Sequence, residues 1–371
     1  MPGFSEKAGD LAGGVNPLLV NLSFLISEAT GLTTYAANLF PHLQALHPIL
    51  LSDRPISPHR HHPIPGGMNA SRGSRGHFDR LVWTQFQLPR IYKALNSSLL
   101  FSPIPEAPLA AGCRSIVTVH DLIPLRFPKR TSPLTYYCRY YIPQILQHAQ
   151  HVICNSSATA KDVIDYFGIP ASKITPIPMA YDAQHFQPLP TTENHPPYFF
   201  YIGRHDPYKN LHRLIAAFAQ IKGDGLELWI AGSSDPRYTP SLQTQTEELG
   251  IAPRVKFLDY VTYDRLPGLM GGAIALVFPS LWEGFGFPIL EAMACGTAVI
   301  TSNLASMPEV AGDAAILVDP YNVQELSTAM QQLMDDPQMR SQLETAGLAR
   351  ATQFSWQKTG HQTAELLRQY L

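Results

Sequence analysis

The sequence predicts an α/β protein built from two doubly wound, Rossmann-like domains that face each other across a cleft. Three observations carry this. The chain has 371 residues, a two-domain length at roughly 150 residues per domain. Short β-branched runs without polar alternation recur in both halves, as strands buried on both faces of a parallel sheet require. A polar, Pro-rich stretch from Pro188 to Pro197 parts the two arrays and reads as a linker, because proline stiffens a connector and supplies no ladder donor. The boundary is therefore expected between residues 188 and 189.

In the first half the apolar runs are Leu18 to Leu22, Ile49 to Ser52, Ser98 to Phe101, Ile116 to Val119, Val152 to Cys154 and Ile174 to Ile177. Ser52 to Gly76, between the second and third runs, is rich in Pro, Gly and Arg and reads as a long loop. Arg54, Arg60, Arg72 and Arg75 stand there against the single acid Asp53, and with few apolar anchors the loop is expected to stay mobile without a partner. Such a loop could attract an anionic membrane surface or a lipid-linked glycan, although a solvated insertion explains it as well. His59, His61 and His62 lack the Cys or carboxylate that would complete a ligand set, so no metal is expected.

The second half alternates cleanly. Strands are predicted at Tyr198 to Ile202, Leu226 to Ala231, Val255 to Leu258, Ile274 to Phe278 and Ala298 to Thr301. Helices fall at Leu211 to Ile221, Ser241 to Leu249, Pro288 to Cys295 and from Trp356 onward. In the first of these helices Leu211, Leu214, Ile215 and Phe218 follow the i, i+3, i+4, i+7 spacing of one buried face.

Composition narrows the function. Hydrophobic residues make up 45% and charged residues 15%, so the chain can bury a core and is not a solvating tail. The formal net charge of -2 hides an asymmetry, with 15 Lys and Arg against 10 Asp and Glu up to residue 188, and 12 against 19 beyond it. That basic excess suits an anionic partner but is too weak for nucleic acid. Cys113, Cys138, Cys154 and Cys295 form no C-x-x-C pair, which favours a reducing compartment and a cytoplasmic protein. The run from Pro17 to Ile26 is interrupted by Asn21 and Ser23 and is too short to span a bilayer, so any membrane contact is expected to be peripheral.

The richest segment is VFPSLWEGFGFPILEAMACG, Val277 to Gly296. A strand ends at Phe278, a loop carries Glu283, Gly284 and Gly286, and Pro288 sits where its missing N–H costs a helix nothing. Amides from Gly284 through Phe285 and Gly286 to Phe287 would lie at a helix N-terminus beyond a strand's carboxyl end, a ready anion site. Glu283 and Glu291 could face one cleft and accept hydrogen bonds from sugar hydroxyls, although Glu291 could equally complement the helix dipole. A dinucleotide fingerprint fails because Ile289 occupies the third glycine position, and no P-loop occurs. YIGRHDPYKN, Tyr201 to Asn210, brings Arg204 and Lys209 to a second strand-to-helix turn, where both could meet a diphosphate or merely be solvated. IVTVHDLIP, Ile116 to Pro124, places His120 and Asp121 just after a strand that would end at the cleft.

The E-x7-E pair Glu283 and Glu291, together with GRHDPYKN, VHDLIP and the early TGLTTYAANL, resembles the retaining glycosyltransferases of the GT-B fold, family 4 (group 1), and especially their mannosyltransferase-like branch. The resemblance runs from about Leu18 to Leu371. It implies an acceptor-side N-terminal domain (1–188), a nucleotide-sugar donor domain (189–355) and a last helix (356–371) that returns to the first domain. By the same resemblance Arg204 and Lys209 match the pair holding the donor diphosphate, Glu291 the residue near the ribose, and Glu283 the one on the transferred sugar's hydroxyls. The amides of Gly284 to Phe287 match those touching sugar and phosphate, His120 the N-domain histidine beside the sugar, and Gly31 the loop glycine near the diphosphate. Leu32, Thr33 and Thr34 follow Gly31 where family members often carry a second glycine.

The activity implied is transfer of a hexose, mannose from GDP-mannose, to a glycan or lipid-linked acceptor in polysaccharide biosynthesis. UDP-glucose-dependent glucosyl transfer and nucleotide-sugar epimerisation on the same fold stay open. No D-x-D occurs, so the two cations would replace a metal clamp, and no cofactor beyond the nucleotide-sugar co-substrate is implied.

Overall fold

Runs that are apolar at every position cannot leave a face in water, and the computed structural model buries them accordingly. It describes residues 16–26, 31–56, 58–109, 112–129, 131–189, 195–223 and 225–371. β1 (Leu18–Asn21) and β4 (Leu99–Ser102) lie side by side at the middle of a seven-stranded sheet, and every residue of both is buried. β2 (Ile49–Ser52), β3 (Arg60–Pro63), β5 (Ser115–Val119), β6 (His151–Cys154) and β7 (Ile174–Pro176) complete it in the order β3-β2-β1-β4-β5-β6-β7.

A six-stranded sheet follows, made of β8 (Tyr198–Ile202), β9 (Glu227–Ala231), β10 (Val255–Asp259), β11 (Ala275–Phe278), β12 (Val299–Ser302) and β13 (Ile316–Val318), in the order β10-β9-β8-β11-β12-β13. Every strand pair in both sheets is parallel. The two doubly wound units that the apolar runs predict are thus present. In each, the strand order reverses between the first and fourth strands, and connections leaving in opposite directions open a crevice beyond the strands' carboxyl ends.

The stretch from Ser52 to Gly76 departs from expectation. It is not one long loop: Arg60–Pro63 is a parallel edge strand, with Ile49 opposite Arg60 and Ser52 opposite Pro63, and a helix begins at Gly73. An edge strand needs backbone partners rather than apolar side chains, so a charged tetrapeptide can form one and its exposed cation discourages further pairing. Ile64 and Met68 are the buried anchors, and the Asn69 side-chain amide donates to the Leu25 carbonyl at 2.7 Å. Among its histidines, His61 uses Nε2 to hydrogen-bond the Ser52 carbonyl at 2.9 Å. Ser57 lies outside the described residues, as do 190–194 of the predicted linker.

Helix Trp356–Arg368 crosses back from the second sheet's side to pack on the turn Phe40–Leu46 and on helix Gly31–Leu39. Gly360 permits this approach, since a Cβ there would overlap the His42 side chain. The Thr359 hydroxyl donates to the Pro178 carbonyl at 2.7 Å, and Tyr370 and His151 meet at 2.9 Å through the phenol oxygen and Nδ1.

Candidate active site

The crevice of the second sheet lies between the loops that follow β8 and β11. After Phe278 the chain runs through Glu283 to Gly286, whose φ of 108° suits glycine, and helix Phe287–Ala294 begins with Pro288 in its first turn. The buried Ser306 hydroxyl lies 3.0 Å from the Glu283 carbonyl and 2.7 Å from the Phe285 carbonyl, so it ties the loop at two points. The other loop is locked to it. Asn210, at φ 67°, donates through its side-chain amide to the carbonyls of Pro279 (3.0 Å) and Pro320 (2.7 Å), while the Leu281 amide donates to the Tyr208 carbonyl at 2.7 Å.

These ties bring Lys209 and Glu283 together. Lys209 Nζ donates to Glu283 Oε1 at 2.6 Å, and the two side chains keep only 13% and 11% of their surface in solvent. The pair lies on a cavity of about 450 Å³ whose walls come from both halves of the chain: Gly31, His120, Asp121 and Asn155 on one side, Lys209, Glu283 and Gly284 to Pro288 on the other.

His120 Nε2 is 2.8 Å from the Pro103 carbonyl, an acceptor, so the proton sits on Nε2 and Nδ1 is left as an acceptor. Burial holds the imidazole neutral, with its pKa down at about 4, and Tyr35 packs edge-on at 4.8 Å. The Asp121 carboxyl accepts from the Ile123 amide at 3.0 Å and is pushed above the usual range by burial first and by Glu283 among its neighbours. The buried Asn155 Oδ1 has no hydrogen-bond partner among the described residues. At Gly284 the halves are in close contact: a Cβ there would strike the His120 carbonyl oxygen, and the Thr159 hydroxyl lies 3.2 Å from the His120 carbonyl and 3.3 Å from that of Gly284.

Two predicted site residues stand elsewhere. Arg204 is an exposed side chain, 71% open to solvent, paired with Asp206 at 3.0 Å, and it does not line the cavity. Glu291 is half-buried on the helix, outside the cavity lining and near Tyr263 and Cys295, and burial pushes its carboxyl up to about 8. Tyr263 stacks on His185 with ring centroids 3.8 Å apart. Ser306, Asn210, Thr159 and Asn155 escaped sequence reading because a buried Ser, Thr or Asn has no spacing signature; the first three act on carbonyls supplied by distant segments.

Residues 184–350 match the family described as Glycosyl transferases group 1, and residues 29–185 match Glycosyltransferase Family 4. The O-antigen chain mannosyltransferase B of Escherichia coli is 30% identical over 262 residues, which are 67% of this chain and 69% of that protein. This chain is a group 1, family 4 glycosyltransferase.

The glycosyltransferase is also similar to the serotype-specific mannosyltransferase WbdA of Escherichia coli, at 28% identity over 264 residues, and spans about a third of WbdA's length, with 32% covered. HepE of Anabaena, solved in complex with UDP and glucose, superposes with a TM-score of 0.73 at 20% identity, over 95% of this chain and 100% of that one. At that identity the likeness shows the fold, GT-B. The activity class is accordingly glycosyl transfer, EC 2.4. Among the described residues of the glycosyltransferase, no helix is long and apolar enough to cross a membrane, and no cluster of three or more His, Cys, Asp or Glu could hold a metal.

Proposed function

We propose that this glycosyltransferase moves mannose from GDP-mannose, with retention at the anomeric carbon, to a glycan or lipid-linked acceptor during polysaccharide assembly. One observation carries the donor site: a cation and a carboxylate 2.6 Å apart, at the start of a helix, in a cavity lined from both halves. Glycosyl transfer builds positive charge on the anomeric carbon and negative charge on the departing diphosphate. Fixed cations and N–H dipoles that meet the leaving group therefore lower the barrier.

In this reading Lys209 turns from Glu283 to the diphosphate as donor binds, freeing the carboxylate to accept from sugar hydroxyls. Arg204 leaves the solvent-exposed pair with Asp206 to join it. The amides of Gly284, Phe285, Gly286 and Phe287 face sugar and phosphate at the helix N-terminus, and Gly31 lets the opposite backbone approach the diphosphate. His120 Nδ1 accepts from a sugar hydroxyl, and Glu291 holds the ribose. Attack comes from the front face: the acceptor oxygen bonds to the anomeric carbon as the bond to phosphate breaks, and the leaving phosphate oxygen takes the acceptor's proton. No enzyme nucleophile and no metal take part. The domains are residues 1–188 and 189–355 with helix 356–371 returning, and the enzyme works in the cytoplasm, in peripheral contact with the membrane that carries a lipid-linked acceptor.

Support for mannose is the name of the O-antigen chain relative. A second reading, glucosyl transfer from UDP-glucose, draws on the fold likeness to HepE, whose structure holds UDP and glucose. Release of free nucleoside diphosphate from GDP-mannose and from UDP-glucose, with and without acceptor, tests both. Acceptor-dependent GDP release supports the proposal, acceptor-dependent UDP release replaces mannose by glucose, and conversion of either donor without acceptor points to an epimerase instead.

A further inference from the structure

Three residues of one first-half segment, Arg126, Phe127 and Lys129, touch the second half at positions beside its charged groups. The Arg126 guanidinium lies 3.3 Å over the Trp282 ring, and Trp282 immediately precedes Glu283. Phe127 stacks on Tyr208, with centroids 5.6 Å apart and planes 27° apart, and Tyr208 immediately precedes Lys209. Lys129 Nζ reaches Asp206 Oδ1 at 3.8 Å and donates to the Tyr238 hydroxyl at 2.9 Å, while Asp206 is the carboxylate that holds Arg204. Glu283, Lys209 and Arg204, three of the charged side chains proposed for the donor, thus each have a first-half residue packed on a neighbour or on a counter-ion.

The segment is itself anchored. Arg126 Nη2 donates to Asp162 Oδ1 at 2.6 Å, and the Asp162 side chain keeps 1% of its surface in solvent. Asp162 lies on helix Ser157–Phe167, which also supplies the Thr159 hydroxyl beside the Gly284 carbonyl. The same helix begins against the other half, its Ser157 amide donating to both carboxylate oxygens of Glu309 at 2.9 and 3.0 Å. A guanidinium over an indole and paired with a buried carboxylate is held on two sides, which a solvated arginine is not.

We propose that Arg126 and Phe127 are positioning residues, a two-ring clamp through which approach of the first half sets the placement of Glu283 and Lys209. Neither touches the donor; each acts through the aromatic residue beside the charge it positions. The clamp rests on the reading of Lys209 and Glu283 as donor-site groups, and it explains why two aromatic residues occupy the positions just before them. When the halves separate, Trp282 loses its cation and Tyr208 its stacking partner, and the loops carrying Glu283 and Lys209 lose their restraint from the acceptor side.

The test uses the full chain and two disruptive substitutions, Arg126→Gln and Phe127→Ser, beside the conservative Arg126→Lys and Phe127→Tyr. Turnover is measured with whichever of GDP-mannose or UDP-glucose the wild type uses, and binding of the matching diphosphate, GDP or UDP, by calorimetry. Both disruptive variants are expected to lose about tenfold or more in kcat, with the diphosphate Kd weakened by a smaller factor. Arg126→Gln also lowers the melting temperature, because it leaves the buried Asp162 carboxylate without its cation, whereas Phe127→Ser should melt close to wild type. The conservative variants should recover most of the rate. A fall in kcat of Phe127→Ser that tracks a fall in its melting temperature, or wild-type kcat in both disruptive variants, overturns the clamp. Solution scattering without nucleotide supplies an arm independent of activity: the radius of gyration should rise in Arg126→Gln and Phe127→Ser and not in their conservative partners. If the wild type turns over neither donor, the donor assignment fails while scattering still decides the clamp, and an unchanged radius in both disruptive variants refutes it.

Discussion

Replacing Lys209 by methionine separates the charge of the pair from its packing. The stem stays among the rings of Tyr208 and Phe278, which Nζ approaches at 5.4 Å each, but Glu283 loses the cation at 2.6 Å. Breaking a buried ion pair costs about 3–5 kcal/mol because one charge is left without its partner. Both side chains keep about a tenth of their surface in water (13% and 11%), so the lower end, about 3 kcal/mol, is expected. At about 2–4 °C per kcal/mol for a unit of this size, the melting temperature should fall by roughly 6–12 °C. Turnover should fall by about 10²–10³, the usual cost of removing one group aimed at developing negative charge.

The double variant Lys209→Met with Glu283→Gln distinguishes the two effects. Removing the orphaned charge should restore most of the melting temperature, whereas turnover should stay lost because neither group remains to meet diphosphate or sugar. Thermal scanning and a diphosphate-release assay on the same preparations read both. Wild-type turnover in Lys209→Met would refute the donor-site assignment, and a double variant as unstable as the single one would refute the assignment of the loss to an orphaned carboxylate.

His120 titrates at about 4 in the fold against 6.5 in an unfolded chain, so its contribution is complete above pH 6.5 and is lost as the pH falls toward 4; His120→Gln should flatten the acid limb of the melting profile by on the order of 3 kcal/mol. Glu291 has the opposite sign: with its pKa raised from 4.5 to about 8, its contribution is complete below pH 4.5 and is lost as pH rises through 8, so Glu291→Gln should melt higher than wild type at pH 8.5 and close to it at pH 5. An unaltered gap between the two pHs would remove burial as the cause. Gly284→Ala should hold the halves apart, because its Cβ would meet the His120 carbonyl, and should lower kcat about 10²-fold while the diphosphate Kd stays near wild type; near-normal kcat would show that the close approach is not needed for chemistry. Turnover should survive EDTA, and loss restored by Mg²⁺ or Mn²⁺ would end the metal-free mechanism.

Both sheets were legible because most of their strands are runs of mainly apolar residues: Leu18 to Val20 or Ala275 to Phe278 could be nothing but buried, and burial on both faces implies parallel pairing with helices outside. Two of the four edge strands were not. Arg60–Pro63 has no Val, Ile, Leu or Phe and exists through ladder bonds to its neighbour, while Ile316–Val318, though apolar, is only three residues long. Lys209 and Glu283 could be picked out as charges at strand-to-helix turns, yet their contact across 74 positions could not. Arg204 and Glu291 matched the same motifs, and the structure holds one against Asp206 in solvent and the other outside the cavity.

Local information is enough wherever one segment's own periodicity dictates which face meets water, or where glycine and proline dictate a turn: that covers the two doubly wound units, the loop and helix from Glu283 to Gly296, and the family itself. Tertiary structure decided the rest, since a hydrogen bond such as Ser306 to the Glu283 carbonyl, or the meeting of Arg126 with Trp282, joins segments whose sequences carry no record of each other. Whether His120 is neutral and which of its nitrogens is protonated were settled in the same way, by the Pro103 carbonyl and by burial, both of which arise only when the strands have been brought side by side.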